Sequence, residues 1–334
     1  MTRRRTRITL DDVAREAGVS TMTVSRVINN SGRISDATRE RVREVIARLD
    51  YRPSRAARAL VTSRTMMIAA VVPDITNPYF SEIVQGIESV AWEQGYSVLL
   101  VNTDETLSRE RAALGQLEDS TVDGLIVCSP RLPDDELNSL LARHRFVVTT
   151  NRIVPEHLAS VVIAHDDLLQ RALRGVDHLV ASGRRRIAYF PLRRTHGVEP
   201  ADYLAGLEAR GLEADPAWCV VCAPTWEAGY AAGKALLLEH PELDAAVGGN
   251  DLVALGVMRA ALELGRRIPD DLAIVGGDDI LLASQVTPSL TTFRVLKVET
   301  GQMAAQLLFK RMAGDTRYRE HRFTEEFIRR DSAP

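Results

Sequence analysis

The stretch GVSTMTVSRVINNSG, residues 18–32, gathers small polar side chains and one arginine at helical spacing. Thr21, Met22, Thr23 and Arg26 follow Ser20, Asn29 closes the run, and no aspartate or glutamate occurs in it. Val24, Val27 and Ile28 give the segment one narrow apolar side and leave the rest for contact with something else. Small and polar side chains at a helix start reach base edges in a major groove, and an arginine reaches a guanine or a phosphate. A face without carboxylates meets no repulsion from a phosphate backbone. The candidate chemistry is therefore duplex DNA binding through Ser20, Thr21, Met22, Thr23, Arg26 and Asn29. A generic three-helix protein-binding module is the alternative, and charge weighs against it.

The net charge of −3 hides a division. Residues 1–64 carry 15 arginines against 7 acidic residues, a balance of +8, and the rest of the 334-residue chain balances to −11. A basic N-terminal module facing a polyanion and a larger acidic module facing something else fit this split. At this length two or three domains are expected. No apolar run reaches the ~18–20 residues that span a membrane, and no apolar segment follows the basic start as in a secretory signal. Three cysteines, Cys128, Cys219 and Cys222, fit a reducing cytoplasm better than a disulfide framework.

Helix signals position the polar stretch. Thr9 and Asp12 form a capping-box-like start, with Val13, Ala14 and Ala17 on one face and Gly18 as the stop. Ser20 caps a second helix over about 21–29, and Ser35 a third in which Val42, Val45, Ile46 and Leu49 recur. Two short helices about a glycine turn, braced by a third, form a helix-turn-helix. Pro53 ends the third helix. The following SRAARAL is capped by Ser54 but barely two turns long, so it folds only against a partner. Arg58 and Leu60 are its candidates for DNA contact, Leu60 as a wedge in the minor groove. An ordinary flexible tether is the other reading.

From residue 66 apolar runs alternate with amphipathic segments. MIAAVV, SVLLVN, GLIVCS and RFVVTT read as buried strands, with helices near 80–94, 106–119 and 134–143. SVVIA, RIAYF, WCVVCA, AAVGG and LAIVGG resume the series. Such alternation predicts parallel sheets covered on both faces, in two similar lobes with a cleft at the strand carboxyl ends.

The segment from Thr9 to Leu60 resembles the headpiece and hinge of the lactose/galactose-repressor family of bacterial transcription regulators. PDITNPYFSEIVQGIESVAWEQGYSVLLVNTDE, VDGLIVCSP, GGNDLVALGVMRAALELGRRIPDDLAIVGGDD and TPSLTTFRV are similar to its effector-binding core, and 184–224 is the weakest stretch. The resemblance implies an α/β protein with an all-α headpiece, a hinge helix and a two-lobed core like periplasmic binding proteins. The expected divisions are 1–50 for the headpiece, 51–65 for the hinge, 66–160 with 291–319 for lobe 1, and 161–290 with 320–334 for lobe 2. It assigns base reading to Thr21, Met22 and Arg26, and intercalation to Leu60. One departure is Asp50, where the family usually has glycine.

Carried over by position, the effector candidates are Tyr79, Phe80, Ser129, Asn151, Arg152, Tyr203, Asn250 and Asp278. Aromatic faces cover a sugar ring while amides and carboxylates take paired hydroxyls. Other readings stay open: Tyr79 and Phe80 as core, Asn250 as a helix cap, Asp278 as the end of a strand. Tyr203 stands where the family often has an arginine clamp, Asn151-Arg152 replaces Asp-Arg, and Gly277 replaces an aromatic. These exchanges change which hydroxyls or anions can be satisfied.

Other chemistry finds little support. CVVC has redox spacing but falls in an expected strand, and GYAAGK lacks the phosphate-loop spacing. The histidines are scattered, so no catalytic triad, metal site or cofactor is assigned. The expectation is a cytoplasmic repressor and not an enzyme. It acts as a homodimer, or a tetramer built from it, on a near-palindromic operator under a sugar-like effector. The rivals are an enzyme with a DNA anchor and a transport binding protein.

Overall fold

The computed structural model describes residues 8–28, 31–51, 64–117, 121–155, 159–163, 168–192, 198–317 and 320–334. The chain divides into two units, Met1–Thr65 and Met66–Pro334.

Capped short helices build the first unit. α1 (Leu10–Ala17) opens with a reciprocal cap: the Thr9 hydroxyl accepts from the Asp12 N–H at 3.3 Å, and the Asp12 carboxylate accepts from the Thr9 N–H at 2.9 Å. Gly18, at φ 63°, turns the chain out of α1. In α2 (Thr21–Ile28) the Ser20 Oγ accepts from the Thr23 N–H at 3.2 Å, and in α3 (Asp36–Arg48) the Ser35 Oγ accepts from the Thr38 N–H at 3.3 Å. The spacing turns Val13, Ala14, Ala17, Val24, Val27, Val42 and Val45 inward, where Tyr51 joins them in one small core. α3 ends in a Schellman motif: Tyr51 N–H donates to the Ile46 carbonyl at 3.0 Å and Asp50 N–H to that of Ala47 at 3.2 Å.

The second unit holds two parallel sheets. The first contains β1 (Met67–Val72), β2 (Ser97–Asn102), β3 (Gly124–Cys128), β4 (Val147–Thr150), β5 (Ala159–Ile163) and β10 (Glu320–Phe323). Its order is β10-β5-β4-β3-β1-β2, and every pairing is parallel. The second has the order β6 (Ile187–Phe190), β7 (Ala245–Gly248), β8 (Ala273–Val275), also parallel. A parallel bridge from Val275 to Thr291 leads to β9 (Thr292–Arg294), which pairs antiparallel with β11 (Glu326–Ile328). Crossover helices are α4 (Pro78–Glu93), α5 (Leu107–Gln116), α6 (Asp134–Leu141), α7 (Leu168–Ala181), α8 (Pro200–Glu208), α9 (Trp226–Glu239) and α10 (Asp251–Glu263). The short α11 (Leu281–Gln285) and long α12 (Lys297–Met312) follow. α4 and α12 meet backbone to backbone. A Cβ on Gly301 would lie 1.9 Å from the Ile83 carbonyl oxygen, so only glycine fits.

Three expectations need correction. β10 pairs with β5, so 320–323 belongs to the first lobe, and the chain crosses to the second between β10 and β11. β9, expected with lobe 1, is tied to the second sheet, whereas α12 packs on α4 in lobe 1 as expected. WCVVCA forms no strand. Asp215 caps a 3-10 turn at Pro216–Trp218, and only Cys219 and Cys222 touch the sheet, through isolated bridges to Tyr189 and Leu192. No helix among the described residues is long and apolar enough to cross a membrane.

Candidate nucleic-acid interface and effector cleft

In the first unit the exposed side of α2 carries Met22, 61% exposed, and Arg26. Thr21 is half-buried, and Thr23 shares a 3.0 Å hydrogen bond with the Ser20 hydroxyl, so both of those hydroxyls serve the cap. The Arg26 stem lies over Gly32: a Cβ there would stand 3.2 Å from Arg26 Cδ, and φ at Gly32 is 72°. That glycine lets the next turn support the arginine from behind. α2 has no acid in its first turn. A cation and an exposed, polarisable thioether on an acid-free helix suit a groove lined with phosphates. Asn29, Arg58 and Leu60 lie outside the described residues.

In the second unit the effector candidates follow the strand carboxyl ends, where parallel sheets open a crevice. Ser129 follows β3 at φ 46° and Asn151 follows β4 at φ 55°, both in the left-handed region. Tyr79 enters on the first turn of α4, which is capped by Asn77 through a 3.0 Å bond from the Tyr79 N–H. The Asn151 amide joins the three: its Nδ2 donates to Tyr79 Oη at 2.6 Å and to Ser129 Oγ at 2.8 Å. Its Oδ1 is buried without a hydrogen-bond partner among the described residues. An orphaned acceptor of this kind is costly unless a ligand or water donates to it.

The opposite wall comes from the second sheet. Asp278 lies in the loop after β8, and the buried Asp251 holds that loop by accepting from the N–H groups of Gly277, Asp278 and Ile280 and from the Thr292 hydroxyl. Burial pushes the Asp251 carboxyl upward in pKa, against those four donors. Lys297 Nζ, also buried, donates to the carbonyls of Asp278 and Asp279 at 2.9 and 2.8 Å and lies 3.6 Å from Glu82 of α4. A small pocket opens beside this loop, lined by Arg171, Tyr189, Leu192, Val247, Gly249 and Phe293 among others.

Four candidates stand apart from this cluster. Phe80 is 2% exposed and packs in the main core. Arg152 turns to Asp134, with Nη2 2.6 Å from Oδ1, and so braces the start of α6. Asn250 caps α10: its Oδ1 accepts from the Val253 N–H at 2.8 Å and its Nδ2 donates to the Pro224 carbonyl at 3.2 Å, so both ends are engaged. Tyr203 is 1% exposed and stacks on Tyr189 at 4.3 Å, one layer behind the pocket wall.

Sequence reasoning missed Arg131, whose guanidinium grips Glu105 with both arms and the Ser129 carbonyl at 2.8 Å, fixing that turn. It also missed Arg171, Tyr189, Asp251, Lys297 and Glu325. Arg171, Asp251 and Lys297 are charges within helices, Arg131 and Glu325 are charges in loops, and their roles are legible only once burial is known. Burial pushes the Cys128 and Cys219 thiols each up to about 12, which disfavours their thiolates. No group of three metal-ligating side chains occurs among the described residues.

Comparison with known proteins agrees with this architecture. Residues 9–54 match the bacterial regulatory proteins of the lacI family, and residues 176–333 a periplasmic binding protein-like domain. The ribose operon repressor of Halalkalibacterium halodurans is 38% identical over 91% of this chain and 90% of its own. Catabolite control protein A of Priestia megaterium is 33% identical over 92% and 94%. Among solved structures, the lac repressor dimer bound to operator and the anti-inducer ONPF superposes with a TM-score of 0.81 at 28% identity, over 98% of this chain and 99% of that one. The transcriptional regulator CelR–cellobiose complex gives 0.69 at 31%, over 98% and 100%. The chain thus belongs to the LacI family of DNA-binding transcriptional regulators, and it is a regulator rather than an enzyme.

Proposed function

We propose that this protein is a cytoplasmic, dimeric repressor. It reads a near-palindromic operator through Thr21, Met22 and Arg26, and a sugar-class effector held between Tyr79, Ser129, Asn151 and Asp278 controls its affinity. One headpiece reads only a few base pairs, so two held at fixed spacing are needed for useful affinity. An effector that favours one relation of the core lobes changes how the two headpieces are presented. The observation that carries the reading is the Asn151 amide, which gathers a phenol and a hydroxyl at the cleft and keeps one acceptor unfilled. That arrangement suits a ligand rich in hydroxyl donors. Relatives named for ribose control and complexed with cellobiose support the same class.

The test selects an operator from a random duplex library with the full-length protein, then titrates it with and without sugars. Arg26→Ala is expected to weaken the selected duplex by about 1–3 kcal/mol and leave non-specific binding nearly intact. Equal weakening on all duplexes removes Arg26 from base reading. Turnover of an added sugar by the purified chain contradicts the regulatory reading.

A further inference from the structure

Among the described residues, Arg171 on α7 is the one charged side chain lining the pocket beside the Asp278 loop. It is 8% exposed. Its Nε donates to Glu325 Oε2 at 2.6 Å and its Nη1 to the Gly277 carbonyl at 3.2 Å, while no described residue accepts from its Nη2. Glu325, whose side chain is fully buried, spends its other oxygen on Arg174 at 2.7 Å. Burial works against the Arg171 charge, but Glu325, Asp278 and Tyr79 together outweigh it and hold the guanidinium above its usual pKa. Its bond to the Gly277 carbonyl sets Arg171 against the Asp278 loop.

Position 203 holds no cation for this pocket. Tyr203 is stacked behind Tyr189, its hydroxyl has no hydrogen-bond partner among the described residues, and burial pushes its phenol well above its ordinary pKa. Among the described residues the remaining lining is aliphatic, aromatic and glycine backbone. A buried guanidinium already matched by carboxylates donates readily to a hydroxyl but gains little from a second anion, which would face Glu325 and Asp278.

We propose that Arg171 is the specificity-determining clamp of this cleft, taking from α7 the role left empty at position 203, and that its matched charge selects uncharged sugars over sugar acids and sugar phosphates. The proposal rests on reading the cleft as the effector site.

Isothermal titration of the full-length protein tests it, with D-ribose, cellobiose and D-galactose as uncharged probes. D-ribose 5-phosphate and D-galacturonate are the anionic probes, and hypoxanthine is a flat, sugar-free one. The wild type is expected to bind an uncharged sugar at least about 10-fold more tightly than its anionic counterpart. Arg171→Lys keeps a positive charge for Glu325 but lacks the second arm, and is expected to lose about 10-fold or more of that affinity. The double variant Arg171→Met with Glu325→Gln removes the buried charges together, so the loss can be read even if the lysine variant folds poorly. A folded lysine variant with wild-type affinity overturns the assignment of Arg171. A wild type that prefers an anionic probe or hypoxanthine overturns the ligand class. A wild type that binds none of the probes overturns the sugar-effector reading of the cleft, and this inference falls with it.

Discussion

Asp50 holds φ at 46°, a conformation in which a side chain crowds the backbone and glycine does not. The residue departs from the family pattern, and the α3 terminus explains the pattern: the Tyr51 N–H reaches Ile46 only if residue 50 turns left-handed. Asp50→Gly is expected to stabilise the first unit by about 0.5–1 kcal/mol, seen as slower amide exchange for residues 10–48 of the full chain. Unchanged exchange there refutes the strain. The same scale shows where sequence reading stopped. Ser129, Asn151 and Tyr79 came by position from the family resemblance, and their side chains meet after β3, after β4 and on the first turn of α4. Phe80 and Asn250 offered two readings each; Phe80 is buried in the core and Asn250 caps α10. Arg171, inside a helix, and Arg131, in a loop, carried no motif; a charge in either place says nothing until the fold buries it.

The loop after β8 is an element held by its neighbours more than by its own backbone bonds. Asp279 sits at φ 49°, accepts from Arg294 Nε at 2.7 Å and from Arg330 Nη2 at 2.5 Å, and gives its carbonyl to Lys297. Burial raises its pKa, but the two arginines outweigh that and hold the carboxyl below its reference value of 3.8. Because the folded value is the lower one, the carboxylate contributes its full stability above the unfolded value and loses it as pH falls through the folded value. Asp279→Asn is therefore expected to cost roughly 1–2 kcal/mol near neutral pH, with the difference from wild type closing at the acid end, below about pH 4. Urea unfolding across that range checks it, and a pH-independent difference refutes the charge-based account. Strands were legible as elements because their apolar runs are long, as in β1 and β3. β10 was assigned to the wrong lobe because EHRF has no apolar run, and its parallel partner β5 lies some 160 residues earlier in the chain. Pairing of that range leaves no local trace.

At the scale of the whole molecule, charge separates two tasks: a headpiece-and-linker segment at +8 and a remainder at −11. The basic segment supplies attraction to any duplex, falling steeply with salt, whereas sequence discrimination needs contacts that a non-cognate duplex cannot return. Leu60, the one large apolar side chain of SRAARAL, is the expected residue for the second task. A leucine set into a minor-groove step gains its contacts only on a duplex that opens there, so its removal costs cognate binding and spares the phosphate term. Leu60→Ala is expected to lower affinity for the selected operator at least about 10-fold while leaving binding to a random duplex, and its salt slope, unchanged. Fluorescence anisotropy with both duplexes across a salt series separates the two quantities. Parallel losses on both make residues 54–60 a plain tether, and discrimination then rests on the α2 face alone.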